Sequence, residues 1–247
     1  MTRAATRARA ALIVAGLTLA ASPALGQTLS LDLGEGAGFT GRIMQLIALI
    51  TVLSLAPSIL VVVTSFTRIV VVLAIIRSAL GMQQTPPNAV LISLALFLTA
   101  FIMAPTFERA YADGIQPLIE DRIDETQAVD RTIAPLHDFM MGQVRKDDLA
   151  MFMDIANIEA VDGPEAVPLR TLVPAFIISE LRRAFEIGFL IFIPFVIIDM
   201  VVASILMSMG MLMLPPVMIS LPFKLIFFVL VDGWHMIAGS LIQSFQT

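Results

Sequence analysis

Apolar side chains in this chain come in long blocks separated by sharp breaks. Ile43 to Phe66 is the first block, interrupted only by Pro57; Arg68, then Ile69 to Ile76 and Arg77 follow. Gln83-Gln84-Thr85-Pro86-Pro87-Asn88 reads as a turn, because two prolines cannot continue a helix and Asn88 can cap the next one. Ala89 to Ala104 forms the second block and ends at Pro105. Ile187 to Leu214 is the third, and Pro215-Pro216 reverses it into the fourth, Val217 to Phe245. At about 1.5 Å per residue, each of the last two blocks is long enough to cross a bilayer. The pattern predicts an all-α membrane protein of about four long hydrophobic helices in two hairpins, residues 43–105 and 171–247.

Residues 106–170 are different material, with fourteen acidic and six basic side chains. Leu118, Ile119 and Ile123, then Leu136, Phe139, Met140 and Val144, recur at helical spacing, which predicts an acidic, mostly helical, water-facing insert. The first 26 residues read as a cleavable signal peptide. Arg3, Arg7 and Arg9 precede a short apolar run, and Ala24-Leu25-Gly26 presents small residues at the cleavage positions. That run is too short for about 30 Å of hydrocarbon. Mature protein then starts near Gln27 with a flexible leader over 27–42. With that terminus outside, Arg68 and Arg77 face the cytoplasm, as the positive-inside tendency prefers, and the insert is periplasmic. Arg182 and Arg183 then fall on the outer side, against that tendency.

Composition agrees with lipid contact. The hydrophobic fraction is 58% and the mean hydropathy +0.92, against roughly 45–50% apolar residues in soluble chains. A net charge of −5 gives no basic face for nucleic acid. No cysteine is present, so disulfides and thiol chemistry are excluded. His137 and His235 are isolated, and no nucleophile–base set, phosphate loop or metal-spaced cluster occurs, so neither an enzyme nor a cofactor is predicted.

Charges remain where hydrocarbon is expected: Arg68, Glu180, Arg182, Arg183, Glu186, Asp199, Lys224 and Asp232. An isolated charge at the centre of a spanning helix costs about 2.5–3.5 kcal/mol on insertion scales. Glu180 with Arg183, and Arg182 with Glu186, can meet on one helix face. Three roles compete: pairing near the interface, pairing between subunits, and a proton relay through Asp199 or Asp232. The last would suit a proton-coupled secondary transporter. Met207-Ser208-Met209-Gly210-Met211-Leu212-Met213 is the most unusual local composition. It suits ordinary packing at a helix end, a soft seal around an axis, or a thioether site for Cu(I).

Two stretches carry a family resemblance. Thr64-Ser65-Phe66-Thr67-Arg68-Ile69, Ala79-Leu80-Gly81-Met82-Gln83 and PPNAVLISLALFLTAFIMAP form the first, and Ala175 to Phe245 is the second. Both resemble the FliP family of export-gate subunits. The cleavable signal, the long insert and Val231-Asp232-Gly233-Trp234 look more like its flagellar branch than the equivalent subunit of virulence secretion systems. The resemblance implies a homo-oligomer of five copies, assembled with FliQ and FliR into a helical, closed gate in the inner membrane. FlhB and FlhA stand beside it, and unfolded export substrates pass through it. It also implies a methionine gasket at Met209, Met211 and Met213, and inter-subunit roles for the stranded charges. Leu212, Arg182-Arg183 and Glu186 depart from the family's commoner pattern.

Overall fold

The computed structural model describes residues 61–82, 84–158, 163–211 and 213–246, with isolated positions between 43 and 59. The signal-peptide and leader expectations, and most of the first apolar block, lie outside the described residues. The chain divides into residues 1–52 and 53–247, and the second unit holds all the elements below. Among the described residues there is no strand.

The helices are α1 (Phe66–Ala79), α2 (Asn88–Ala110), α3 (Gln116–Ile119), α4 (Glu125–Gln143), α5 (Lys146–Ile155), α6 (Leu169–Ser208), α7 (Pro216–Leu230) and α8 (Gly233–Gln243). A π-helical turn, Tyr111–Ile115, joins α2 to α3. Two stretches are long and apolar enough to cross a membrane, Asn88–Ile119 and Leu169–Ser208, and α7 with α8 makes a third if the pair counts as one bent span.

Three boundaries differ from the sequence expectation. Pro105 does not end its helix; α2 runs through it to Ala110. Proline removes one ladder hydrogen bond, but in an apolar setting every other backbone group still needs helical pairing, so the helix propagates past it. For the same reason α6 takes in Pro174, Pro194 and the whole charged island in 40 continuous residues. That is about 60 Å at ~1.5 Å per residue, twice the hydrocarbon thickness. The fourth block, by contrast, is not one rod. It bends by 63° between α7 and α8. Asp232 sits at the bend in the left-handed region, φ 50° and ψ 53°. A Cβ on Gly233 would lie 2.3 Å from the Phe228 ring, so only glycine lets α8 fold back onto that face.

The main core joins α1, α2, α6, α7 and α8 through Ile69, Leu73, Leu91, Phe195, Phe228 and Leu241. A second cluster, built on Met140, Leu172 and Phe176, fastens α4 to the first turns of α6. The insert starts at a capped helix, where Asp124 Oδ1 accepts from the Gln127 backbone N–H at 2.8 Å. Asp147 and Asp148 occupy the first turn of α5, where the helix dipole favours negative charge. His137 is buried, its Nε2 2.8 Å from the Val167 carbonyl.

Helices α1 and α6 touch at Gly188, where an added Cβ would meet Ile75 Cδ1 at 2.4 Å, Cγ2 at 3.0 Å and Cβ at 3.3 Å. A rotamer change at Ile75 can move Cδ1 and Cγ2 but leaves Cβ where it is. Gly188→Val is therefore expected to push the helices apart and destabilise the fold by about 1–3 kcal/mol. The check is thermal loss of helical circular dichroism in detergent. Ile75→Ala in the same chain should recover part of the loss, and an unchanged melting curve for Gly188→Val would contradict the packing.

Candidate functional site

Arg68 lies in the first turn of α1 and is fully buried, as is Glu180 at the middle of the insert-packed part of α6. The two form a forked pair: Arg68 Nε donates to Glu180 Oε2 at 2.9 Å, and Nη2 donates to Oε1. Such a bidentate fork is the strongest geometry available to a carboxylate. The remaining donors are also used. Nη1 reaches the Ser244 carbonyl at 2.9 Å and Oγ at 3.0 Å, while Nη2 reaches Gln143 Oε1 at 3.1 Å. The guanidinium carbon stands 3.7 Å from the centre of the Phe245 ring, a cation–π contact. One side chain thus ties together α1, the end of α4, the first third of α6 and the tail after α8.

A second charged knot sits at the other end of α1. Lys224 Nζ donates to Asp199 Oδ2 at 2.6 Å and to the Ala79 carbonyl at 3.1 Å. Ala79 is the last residue of α1, so the ammonium satisfies a carbonyl that the helix itself leaves unpaired. Ser220, one turn before Lys224 on α7, donates to Asp199 Oδ1. Lys224 is buried, whereas Asp199 keeps 29% of its side-chain surface. Helices α1, α6 and α7 are joined at this point.

The other selected charges have different surroundings. Glu180 goes to Arg68, and Arg183 donates to Gln143 Oε1 at 3.3 Å, so the i,i+3 pairing of Glu180 with Arg183 gives way to a longer-range partner. Arg182 and Glu186 do meet one turn apart, at 3.1 Å and in the open. Asp232 is exposed at the α7–α8 bend and has no ion-pair partner among the described residues. Arg68, Glu180, Asp199 and Lys224 are therefore neutralised inside a single chain. Gln143, Ser220, Ser244 and Phe245 complete the two knots, and sequence reasoning missed all four. Their polar groups are ordinary in type and lie up to 176 residues from what they bind.

The methionine segment forms the turn between α6 and α7. α6 ends in a paired closure, with Gly210 N–H donating to the Met207 carbonyl at 3.1 Å and Met211 N–H to the Leu206 carbonyl at 3.0 Å. This closure needs a left-handed residue, and Gly210 supplies it at φ 73°. Pro216 then opens α7 at a position where its missing N–H costs nothing. Side chains at the turn point outward: Met209 is 62% exposed, Met211 44% and Met213 98%. Leu212, within it, lies outside the described residues. Among the described residues no three His, Asp or Glu side chains gather as for a metal.

The geometry therefore consists of internally balanced charges, long uncovered apolar helices and a thioether-rich turn. The FliP family model matches residues 49–241. The flagellar biosynthetic protein FliP of Caulobacter vibrioides is 58% identical over 243 residues, covering 96% of this chain and 91% of that protein. Its namesake in Bacillus subtilis is 56% identical over 202 residues, covering 82% of this chain and 91% of that protein. Another in Aquifex aeolicus is 47% identical over 232 residues, covering 93% and 97% respectively. With matches of this length to chains of nearly its own extent, the protein belongs to the FliP family.

Proposed function

We propose that this chain is a channel-forming subunit of the flagellar type III protein export gate in the bacterial inner membrane. About five copies, with FliQ and FliR, enclose a passage for unfolded flagellar substrates, next to FlhB and FlhA, and the acidic insert lies in the periplasm. The relatives' names place them in flagellar biosynthesis. The observation that carries the gate reading is the exposed turn of Met209, Met211 and Met213, held out by two closed helix ends. Unbranched thioether side chains repack with little penalty. Several copies around an axis make a constriction that excludes ions and yields to a polypeptide. A proton-coupled transporter would need Asp199 or Asp232 as its proton carrier; the contacts of Asp199 to Lys224 and Ser220 favour a structural role there, and Asp232 stands at the exposed α7–α8 bend.

Changing Met209, Met211 and Met213 together to alanine is expected to raise ion leak through the assembled gate several-fold while the complex still forms. Conductance of cells or of reconstituted complex, read beside secretion of flagellar substrates, checks this. Leak at the wild-type level with secretion unchanged would remove the seal from the account.

A further inference from the structure

Beside the Arg68–Glu180 pair, a pocket of about 450 Å³ is lined by Arg68, Arg145, Arg183, Glu186, Ile187 and Ser244. Two of its guanidiniums already face carboxylates. Arg68 is held by Glu180, and Arg145 lies 3.5 Å from Asp147 and 4.0 Å from Asp148. Glu186 lines the pocket too, with its Oε1 accepting from Arg182 Nε at 3.1 Å. Arg183 has no carboxylate within ion-pair distance among the described residues, and its bond to the Gln143 amide oxygen is long, 3.3 Å. Arg183 therefore brings to the pocket guanidinium donors that no carboxylate of the described residues engages.

Its position on α6 says what kind of anion would use them. Arg183, Ile187 and Leu190 follow one another at i, i+4 and i+7 on one helix face, and Leu190, Ile193 and Ile197 beyond them are exposed. Donors and an uncovered apolar stripe thus share one face, at the level where α6 leaves the packed insert. We propose that this pocket binds the phosphate of an anionic phospholipid, with an acyl chain lying along Leu190, Ile193 and Ile197. A guanidinium fork matches phosphate oxygens. A carboxylate from a neighbouring protein would answer Arg183 but would leave the stripe uncovered. A phospholipid carries both halves. The inference needs only that the chain resides in a membrane, and it is independent of what the assembly conducts.

The test uses the full chain, purified in detergent and stripped of lipid, titrated with phosphatidylglycerol, phosphatidylcholine or inorganic phosphate and followed by native mass spectrometry. Phosphatidylglycerol is expected to bind in preference to phosphatidylcholine, and inorganic phosphate is expected not to displace it. Arg183→Gln should weaken phosphatidylglycerol binding roughly fivefold, the effect of one cation near a lipid surface. Arg170→Gln, on an exposed residue in the first turn of α6, should leave it unchanged. If Arg183→Gln loses helical circular dichroism, Arg145→Gln replaces it with the same loss expected. Equal binding of the two lipids overturns the proposal, as does wild-type affinity in the folded Arg183→Gln chain. Displacement by inorganic phosphate makes the pocket a free-anion site and also overturns it. So does a folded Arg183→Gln chain that no longer associates with other subunits while its lipid binding is unaltered, because the occupant is then a carboxylate of a neighbouring subunit.

Discussion

Glu180→Ala will unfold the unit at a much lower temperature than the wild-type chain. The substitution removes the fork that holds Arg68 and leaves a fully buried guanidinium without its counter-ion. Breaking a buried pair from one side costs about 3–5 kcal/mol, because the remaining charge stays out of water uncompensated. Ser244 and Gln143 would still accept from Arg68, which places the loss toward the lower end of that range. Four elements meet at Arg68, so the damage should spread to α1, α4, α6 and the tail together. The measurement is thermal unfolding in detergent, with limited proteolysis reporting the insert. Replacing both partners, as in Arg68→Met with Glu180→Leu, should recover much of the stability, since a well-packed apolar pair carries no desolvation penalty. A Glu180→Ala chain that melts with the wild type would mean that the pair contributes nothing to the fold.

Lys224→Met is expected to cost less, about 1.5–3 kcal/mol, the range for a hydrogen bond to a charged group. Asp199 is partly exposed and retains Ser220, so its charge is not stranded as completely as that of Arg68. The Ala79 carbonyl also loses its donor, which should loosen the last turn of α1 against α7. Hydrogen exchange at the α1 end reads this locally. Asp199→Asn discriminates between roles. If Asp199 is structural, the variant should lower stability and assembly together. Transport lost in an intact assembly would instead assign the residue to proton movement.

The two knots change what must drive assembly. Four of the stranded charges are paired within one chain, so they do not by themselves demand a neighbour. What remains uncovered is apolar: Phe185, Phe189 and Leu190 on α6, Phe223, Ile226, Val229 and Leu230 on α7, and the methionine turn. Exposed surface of this kind needs lipid or protein around it. In the proposed assembly, association would rest on shape and close packing of side chains, with the ion pairs fixing the shape of each chain beforehand.

Much of this was legible from local signals. The turns at Pro86-Pro87 and Pro215-Pro216 and the helical insert follow from neighbouring residues, because helix starts, stops and periodicity are set within a few positions. The family was legible too, in two long uninterrupted strings. Less legible was where helices would ignore a break. Pro105 and the charged island read as interruptions, yet the ladder continues through both, since backbone pairing outweighs a single missing bond or a solvated side chain. By itself, then, the sequence determined that the protein is made of apolar helices with an acidic insert and which family it belongs to. Only the tertiary structure decided which charge meets which, joining Arg68 to Glu180 across 112 residues and to Ser244 across 176. Periodicity is a property of neighbours, whereas the partner of a buried ion is chosen by whichever distant helices pack against it.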